Sequence, residues 1–377
     1  GWSYQVTGGS GANGNDYYLY GQGRWGVSPW DNPELFHFES ALTHVPEATA
    51  PFLMMHGTAD PTVSFSEGMN FYNALRYNKK EAATLCGAVG AVSERIAIST
   101  AATNHNTRHP IVTAGFARTM QSLTGGRFTL GLGRGIAPMQ DAFGISRITT
   151  AQMEDFAGLM RRLFRGEVII GHDGPAGSWP VLHIDATLDE YLPMGIVAFG
   201  DNTLELAGRC FDEVVLHTFF TDETTAHCVQ TVKRAAEQAG RNPDEVKVWS
   251  CYATIGDHIG EEERLMKLVG RLGTYLQGYG HLLARTNGWD EAVVDRFLAD
   301  EVVSSVRGLD VVGTTEQLQH AATLIPDDWL SWAAVGSPVD CVAAVRNQLA
   351  LGCDGVIMHG ATPAELAPIV AEYRASA

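Results

Sequence analysis

The sequence predicts an α/β protein whose main part, residues 81–377, is a (β/α)8 barrel of the TIM type with its N-terminal strands missing or replaced. Three observations carry this expectation. Short, near-continuous apolar runs alternate with longer helical stretches, the pattern of a parallel sheet covered on both faces. Six such units follow one another, and none opens with a Gly-rich dinucleotide fingerprint, which favours a closed barrel over a doubly wound sheet. The first 80 residues have a different texture, rich in Gly, Asn, Tyr and Trp, so the regular pattern starts late.

In chain order, Gly8-Gly9-Ser10-Gly11-Ala12-Asn13-Gly14-Asn15 is a turn-forming run, and Trp25-Gly26-Val27-Ser28-Pro29-Trp30 is loop-like. Pro51-Phe52-Leu53-Met54-Met55-His56-Gly57 reads as a buried strand bounded by Pro and Gly, with a helix expected over residues 66–79. Beyond residue 81, strands are expected at 95–100, 127–133, 194–200, 213–218, 246–254 and 355–360. Helices are expected between them, among others at 151–165, 203–209, 224–238 and 339–351. Ser337-Pro338-Val339-Asp340 is a strong helix start, with a capping Ser, Pro at the first helical position and an acid in the first turn.

Composition excludes several functions. The 43 acidic and 26 basic residues give a formal charge of -17, the wrong sign for holding nucleic acid or an anionic membrane, which need clustered Lys and Arg. No window is apolar for long enough to span a bilayer. Six dispersed cysteines, with no C-x-x-C pair, read as small buried residues of a reducing compartment and not as a zinc site or a disulfide frame. A cytoplasmic protein acting on a small molecule is therefore expected, with a homodimer left open. The start Gly1-Trp2-Ser3-Tyr4 has no initiator Met and reads as the cut end of something longer.

Four segments then resemble one family. Thr124-Gly125-Gly126-Arg127-Phe128-Thr129-Leu130-Gly131-Leu132-Gly133-Arg134-Gly135 is similar to the strand-four signature of luciferase-like, deazaflavin (coenzyme F-420) dependent oxidoreductases. Thr100-Ala101-Ala102-Thr103-Asn104-His105-Asn106-Thr107-Arg108-His109-Pro110 stands where that family carries its strand-three loop. Ala198-Phe199-Gly200-Asp201-Asn202-Thr203 is similar to its strand-five phosphate loop, and Gly352-Cys353-Asp354-Gly355-Val356-Ile357-Met358-His359-Gly360 to its last strand. At the front, residues 1–80 resemble instead a piece of the prolyl-oligopeptidase catalytic domain. Gly1-Trp2-Ser3-Tyr4 is similar to its nucleophile elbow, with Gln5 where a glycine belongs, and Met54-Met55-His56-Gly57-Thr58-Ala59-Asp60 to the loop of its triad acid.

The resemblance implies hydride transfer between coenzyme F-420, or alternatively FMN, and a small organic substrate. Gly200, Asp201, Asn202 and Thr203 follow a strand and open a helix, so free backbone amides and the helix dipole suit a phosphate; the plain alternative is an Asn/Thr helix cap. Ala198 and Phe199 lead into that loop. Ala101 and Ala102 are small enough for a flat ring to approach, and the family often has a non-proline cis peptide there, with Thr103 and Asn104 beside it. Gly133, Arg134 and Gly135 end the next strand at the same mouth, where Arg134 suits an anionic group of the cofactor. His105 is the candidate catalytic acid, with a loop-holding role as its alternative; His217 and His359 are further histidines at strand ends. No metal site is expected. Two other readings stand beside this one: a protein that binds deazaflavin or flavin without turnover, and a serine hydrolase remnant. The hydrolase lacks its base, because no histidine lies near residue 90, where Ser3 and Asp60 would need one.

Overall fold

The computed structural model describes residues 85–135, 140–141, 144–184 and 191–376. The strand expected at 51–57, the helix expected at 66–79, Ser3 and Asp60 lie outside these. Contacts divide the chain into two compact units, residues 1–98 with 115–128 and residues 99–114 with 129–377.

The described part of the first unit is small. Helix α1 (Leu85–Val92) precedes β1 (Ile98–Ser99), and α2 (Pro110–Thr124) leads to β2 (Phe128–Leu132). Phe116 meets Phe128 edge to face at 5.6 Å, and the Arg127 guanidinium closes the chain turn by donating to the Ser93 carbonyl at 2.7 Å.

The second unit holds the parallel sheet. After β2 come α3 (Thr150–Phe164), β5 (Met194–Val197), α4 (Asp201–Cys210), β6 (Glu213–Val215), α5 (Asp222–Gln238) and β7 (Lys247–Gly256). Between α3 and β5 a hairpin intervenes, β3 (Ile169–Gly174) and β4 (Gly177–Leu182). A helical excursion follows β7; its long member is α6 (Arg271–Asn287), entered through a wide π turn at Met266–Gly270. Then come β8 (Ala334–Gly336), α7 (Pro338–Ala350), β9 (Gly355–His359) and α8 (Pro363–Ala375).

The strand order is β1-β2-β5-β6-β7-β8, with β9 also on β7, and the recorded registers β2–β5, β5–β6, β6–β7, β7–β8 and β7–β9 are all parallel. This is the curled, helix-covered sheet of a partial α/β barrel, as the apolar runs predicted. All five residues of β2 are buried, which a strand covered on both faces requires. The expected capping box at Ser337 is present, its hydroxyl meeting the Asp340 amide. The six expected strands all appear, most of them shorter at one or both ends. Among the described residues no helix is long and apolar enough to cross a membrane.

Candidate active site at the carboxyl ends of the strands

Parallel strands bring their carboxyl ends to one side of a sheet, where βα loops can build a site. All residues discussed below belong to the second unit.

The loop after β1 is sewn to the end of β2. The Thr100 hydroxyl donates to the Gly131 carbonyl at 2.8 Å and accepts from the Gly131 amide at 2.9 Å. Thr103 and Gly133 continue the zipper through Thr103 N to Gly131 O at 3.0 Å and Gly133 N to Thr103 O at 3.1 Å. Glycine is obligatory at 131, because an added Cβ would lie 1.7 Å from the Thr100 carbonyl oxygen. The Ala101–Ala102 peptide is cis, as the family resemblance implied, and both alanines are exposed. They present a small-residue surface next to Gly133, whose missing Cβ would sit 2.8 Å from that of Ala102. Gly135 adopts φ 72°, and a side chain there would press on the Asn104 amide. Thr103 is tied to Arg108 at 2.7 Å.

His105 has a buried Nδ1 without a hydrogen-bond partner among the described residues. It is buried, its ring packs at 4.9 Å from that of Phe156 on α3, and burial lowers its pKa. The acid role has that burial against it, and the loop-holding role has the packing for it. His109 is exposed, accepts the Ile111 amide and meets the edge of Trp179.

Arg134 is half-buried and donates through Nη2 to the Thr150 hydroxyl at 2.6 Å. Its Nε is buried without a partner, and no carboxylate pairs with it among the described residues. Burial lowers its pKa, so the cation is held in a place that disfavours charge. Such a guanidinium suits an anion.

Helix α4 opens at Gly200 without a side-chain cap. Among the described residues, the amides of Gly200, Asp201 and Asn202 have no recorded acceptor, and open space lies over Gly200. The amide of Thr203, expected to be free, instead donates to the Gly200 carbonyl at 2.9 Å, because the first turn tightens. The Asp201 carboxylate turns to His227 at 2.9 Å, on the outside. Ala198 is buried and joined to β6 through its amide, and Phe199 is partly buried beside His217.

Tyr275 and Tyr279, which sequence reasoning missed, complete the mouth around His217, a strand-end histidine already singled out. His217, just past β6, meets the Tyr279 hydroxyl through Nε2 at 2.8 Å and the Thr218 carbonyl through Nδ1 at 2.8 Å. Desolvation pulls its pKa down to about 4, opposed by the bond to Thr218. Tyr275 and Tyr279 come from α6, 62 residues away in the case of the His217–Tyr279 bond. A signal for them did exist: Arg271, Tyr275 and Tyr279 recur every fourth residue, along one helical face. Among the described residues no group of His, Cys, Asp and Glu is placed to hold a metal ion.

Comparison with known proteins agrees with this architecture. A family model for the luciferase-like monooxygenases matches residues 63–355, and one for the prolyl oligopeptidase family matches residues 8–87. A 5,10-methylenetetrahydromethanopterin reductase of Methanolobus tindarius is 24% identical over 293 residues, 76% of this chain and 84% of that protein. Among solved structures, the coenzyme F-420 dependent tetrahydromethanopterin reductase of Methanopyrus kandleri superposes with a TM-score of 0.61 at 16% identity, covering 88% of this chain and 90% of that one. An F-420-dependent secondary alcohol dehydrogenase gives 0.54 at 16% identity, over 74% and 78% of the two chains. These two share the fold. With most of its length matched by the first model, the chain belongs to the luciferase-like monooxygenase family of oxidoreductases.

Proposed function

We propose that the protein transfers a hydride between coenzyme F-420 and a small organic molecule. The observation that carries this reading is the pairing of an anion seat with a flat, small-residue surface on neighbouring strand ends. The seat consists of the partnerless amides of Gly200, Asp201 and Asn202 and the Arg134 guanidinium, which has no carboxylate beside it. The surface consists of Ala101, Ala102 and Gly133. Strands β2 and β5 run side by side in register, Leu132 opposite Ile196, so Arg134 and the Gly200 loop leave the sheet next to each other.

These residues fit a phosphate-tailed, flat cofactor. The amides and Arg134 would hold the phosphate, each charge-assisted bond contributing about 1.5–3 kcal/mol. Ala101, Ala102 and Gly133 would lie under the ring, with Thr103, Asn104 and Gly135 fixing the loop. When bound, a deazaflavin supplies two electrons as a hydride. FMN also carries a phosphate on its side chain and a similar ring. What supports the deazaflavin over it is that the relative from Methanolobus tindarius is named a reductase, a role that asks for a hydride donor without oxygen chemistry.

Titration of oxidised coenzyme F-420, followed by its fluorescence, tests the reading. Saturable binding is expected, weakened about tenfold or more in Arg134→Ala, with FMN binding less tightly. Absence of binding, or an affinity untouched by Arg134→Ala, would sink it.

A further inference from the structure

The side of the mouth built by β6, β9 and α6 is left unused by the cofactor contacts proposed above. Its centre is His217. The Thr218 carbonyl can only accept, so Nδ1 of His217 carries the proton and Nε2 accepts the hydroxyl proton of Tyr279. The chain departs from helical geometry at Tyr279 (φ -157°, ψ 36°) and resumes it through Asn287. Around the imidazole stand Phe199 at 4.6 Å, Tyr275 at 4.8 Å and Phe220 at 5.9 Å between ring centroids. Phe199, His217, Tyr275 and Tyr279 are each only partly buried, so this aromatic wall has an open side.

The wall carries no net charge. Burial keeps His217 unprotonated and raises the pKa of both tyrosines, so their hydroxyls stay intact. The cation on it, Arg271, is paired with the buried Asp310 carboxylate at 3.1 Å, which also accepts from the Thr274 hydroxyl at 2.6 Å. Three buried polar atoms of the wall have no hydrogen-bond partner among the described residues, Thr218 Oγ1, Arg271 Nε and His359 Nδ1. His359 is the last residue of β9. An unmade hydrogen bond on a buried group is costly, and on a wall that opens to the mouth such an atom suits a ligand atom. Burial and the nearby Arg271 lower the pKa of His359 as well. A neutral imidazole nitrogen can donate to a carbonyl oxygen or accept from a hydroxyl, so it suits both redox forms of one carbon–oxygen bond. Aromatic faces favour a flat conjugated ligand through stacked and edge contacts, while a ligand charge would be desolvated here without a counter-ion.

Resting on the hydride-transfer reading, we propose that this wall is the substrate subsite and takes an uncharged, flat, conjugated carbonyl compound or its alcohol, with the oxygen on His359 Nδ1. The test uses the full chain and two probes, 2-acetylnaphthalene and its charged analogue 6-acetyl-2-naphthoate, with dissociation constants from ligand-observed NMR. The neutral ketone should bind saturably and about tenfold or more tighter than the carboxylate. His359→Ala should weaken the ketone by about tenfold, and His359→Gln should restore part of the loss. Should a variant fail to fold, the imidazole 15N signals of the wild type provide the readout, and Nδ1 of His359 must move on adding the ketone. Equal affinity for the two probes, an unchanged ketone affinity in folded His359→Ala, or an unmoved Nδ1 signal would overturn the proposal. Coenzyme F-420 binding, measured on the same samples, separates the two readings. Deazaflavin bound without the ketone removes this subsite and leaves the cofactor in place; the reverse result removes the cofactor and leaves the subsite.

Discussion

Acid should destabilise this protein through His217. The imidazole is enclosed by Phe199, Tyr275, Tyr279 and Phe220, and its pKa falls from the ordinary 6.5 to about 4. Between those two values the unfolded chain binds a proton at this position and the folded chain does not. Stability is therefore fully present above about pH 6.5 and is lost as the pH falls towards 4. At 1.36 kcal/mol per unit, the full effect is about 3 kcal/mol, with about 2–3 kcal/mol gone by pH 4.5 and roughly half of that by pH 5.5. Carboxylates titrate in the same range, so the comparison has to be with His217→Gln, which keeps a donor and an acceptor but cannot be protonated. Urea unfolding at constant ionic strength should show the variant less stable at pH 7.5, because aromatic packing around the ring is lost. The gap should shrink by about 2–3 kcal/mol on going to pH 4.5. A gap that stays constant across the range would show that His217 is not held neutral by burial, and the uncharged wall would lose its main support.

Two further substitutions probe the scaffold. Gly131→Ala forces a Cβ to 1.7 Å from the Thr100 carbonyl and should cost about 1–3 kcal/mol while loosening the Ala101–Ala102 loop; an unchanged thermal midpoint would contradict the strand-end zipper. Glu213, partly buried at the start of β6, has its pKa raised by desolvation, although the Thr129 hydroxyl donates to it at 3.3 Å. A raised carboxyl loses stability as the pH climbs through its folded value, so Glu213→Gln should melt higher than the wild type at neutral pH, with the advantage shrinking as the pH falls through the carboxylate range. A lower midpoint at pH 7 would count against the desolvation argument.

What the sequence made legible was local or periodic. Phe128–Leu132 and Met194–Val197 are readable as parallel strands because both faces are covered, leaving apolar runs with no alternation. Helix α7 is readable from its cap residues alone. The β3–β4 hairpin escaped notice because its paired residues Ile170 and Val181 are both exposed, so apolar character there says nothing about burial. The site divides along the same line. Ala101, Gly133, Arg134 and Gly200 directly follow strands, and their position at the mouth comes with the fold. Tyr275 and Tyr279 reach His217 from an excursion whose docking depends on long-range packing, which no local pattern encodes. His105 shows the converse: a histidine on the right loop, turned by the fold against Phe156. The Thr203 amide was misjudged because a helix start supplies fewer free amides once its first turn tightens.

In the proposed site the partnerless amides opening α4 hold the phosphate of a hydride-carrying cofactor. The most direct measurement is a 15N–1H spectrum of the full chain, recorded during titration with coenzyme F-420. The amide signals of Gly200, Asp201 and Asn202 should shift downfield and saturate together, at the concentration where cofactor fluorescence reports binding. The Thr203 amide, already bonded to Gly200, should move less. Coenzyme that binds while these three signals stay in place, or that does not bind at all, would contradict this reading.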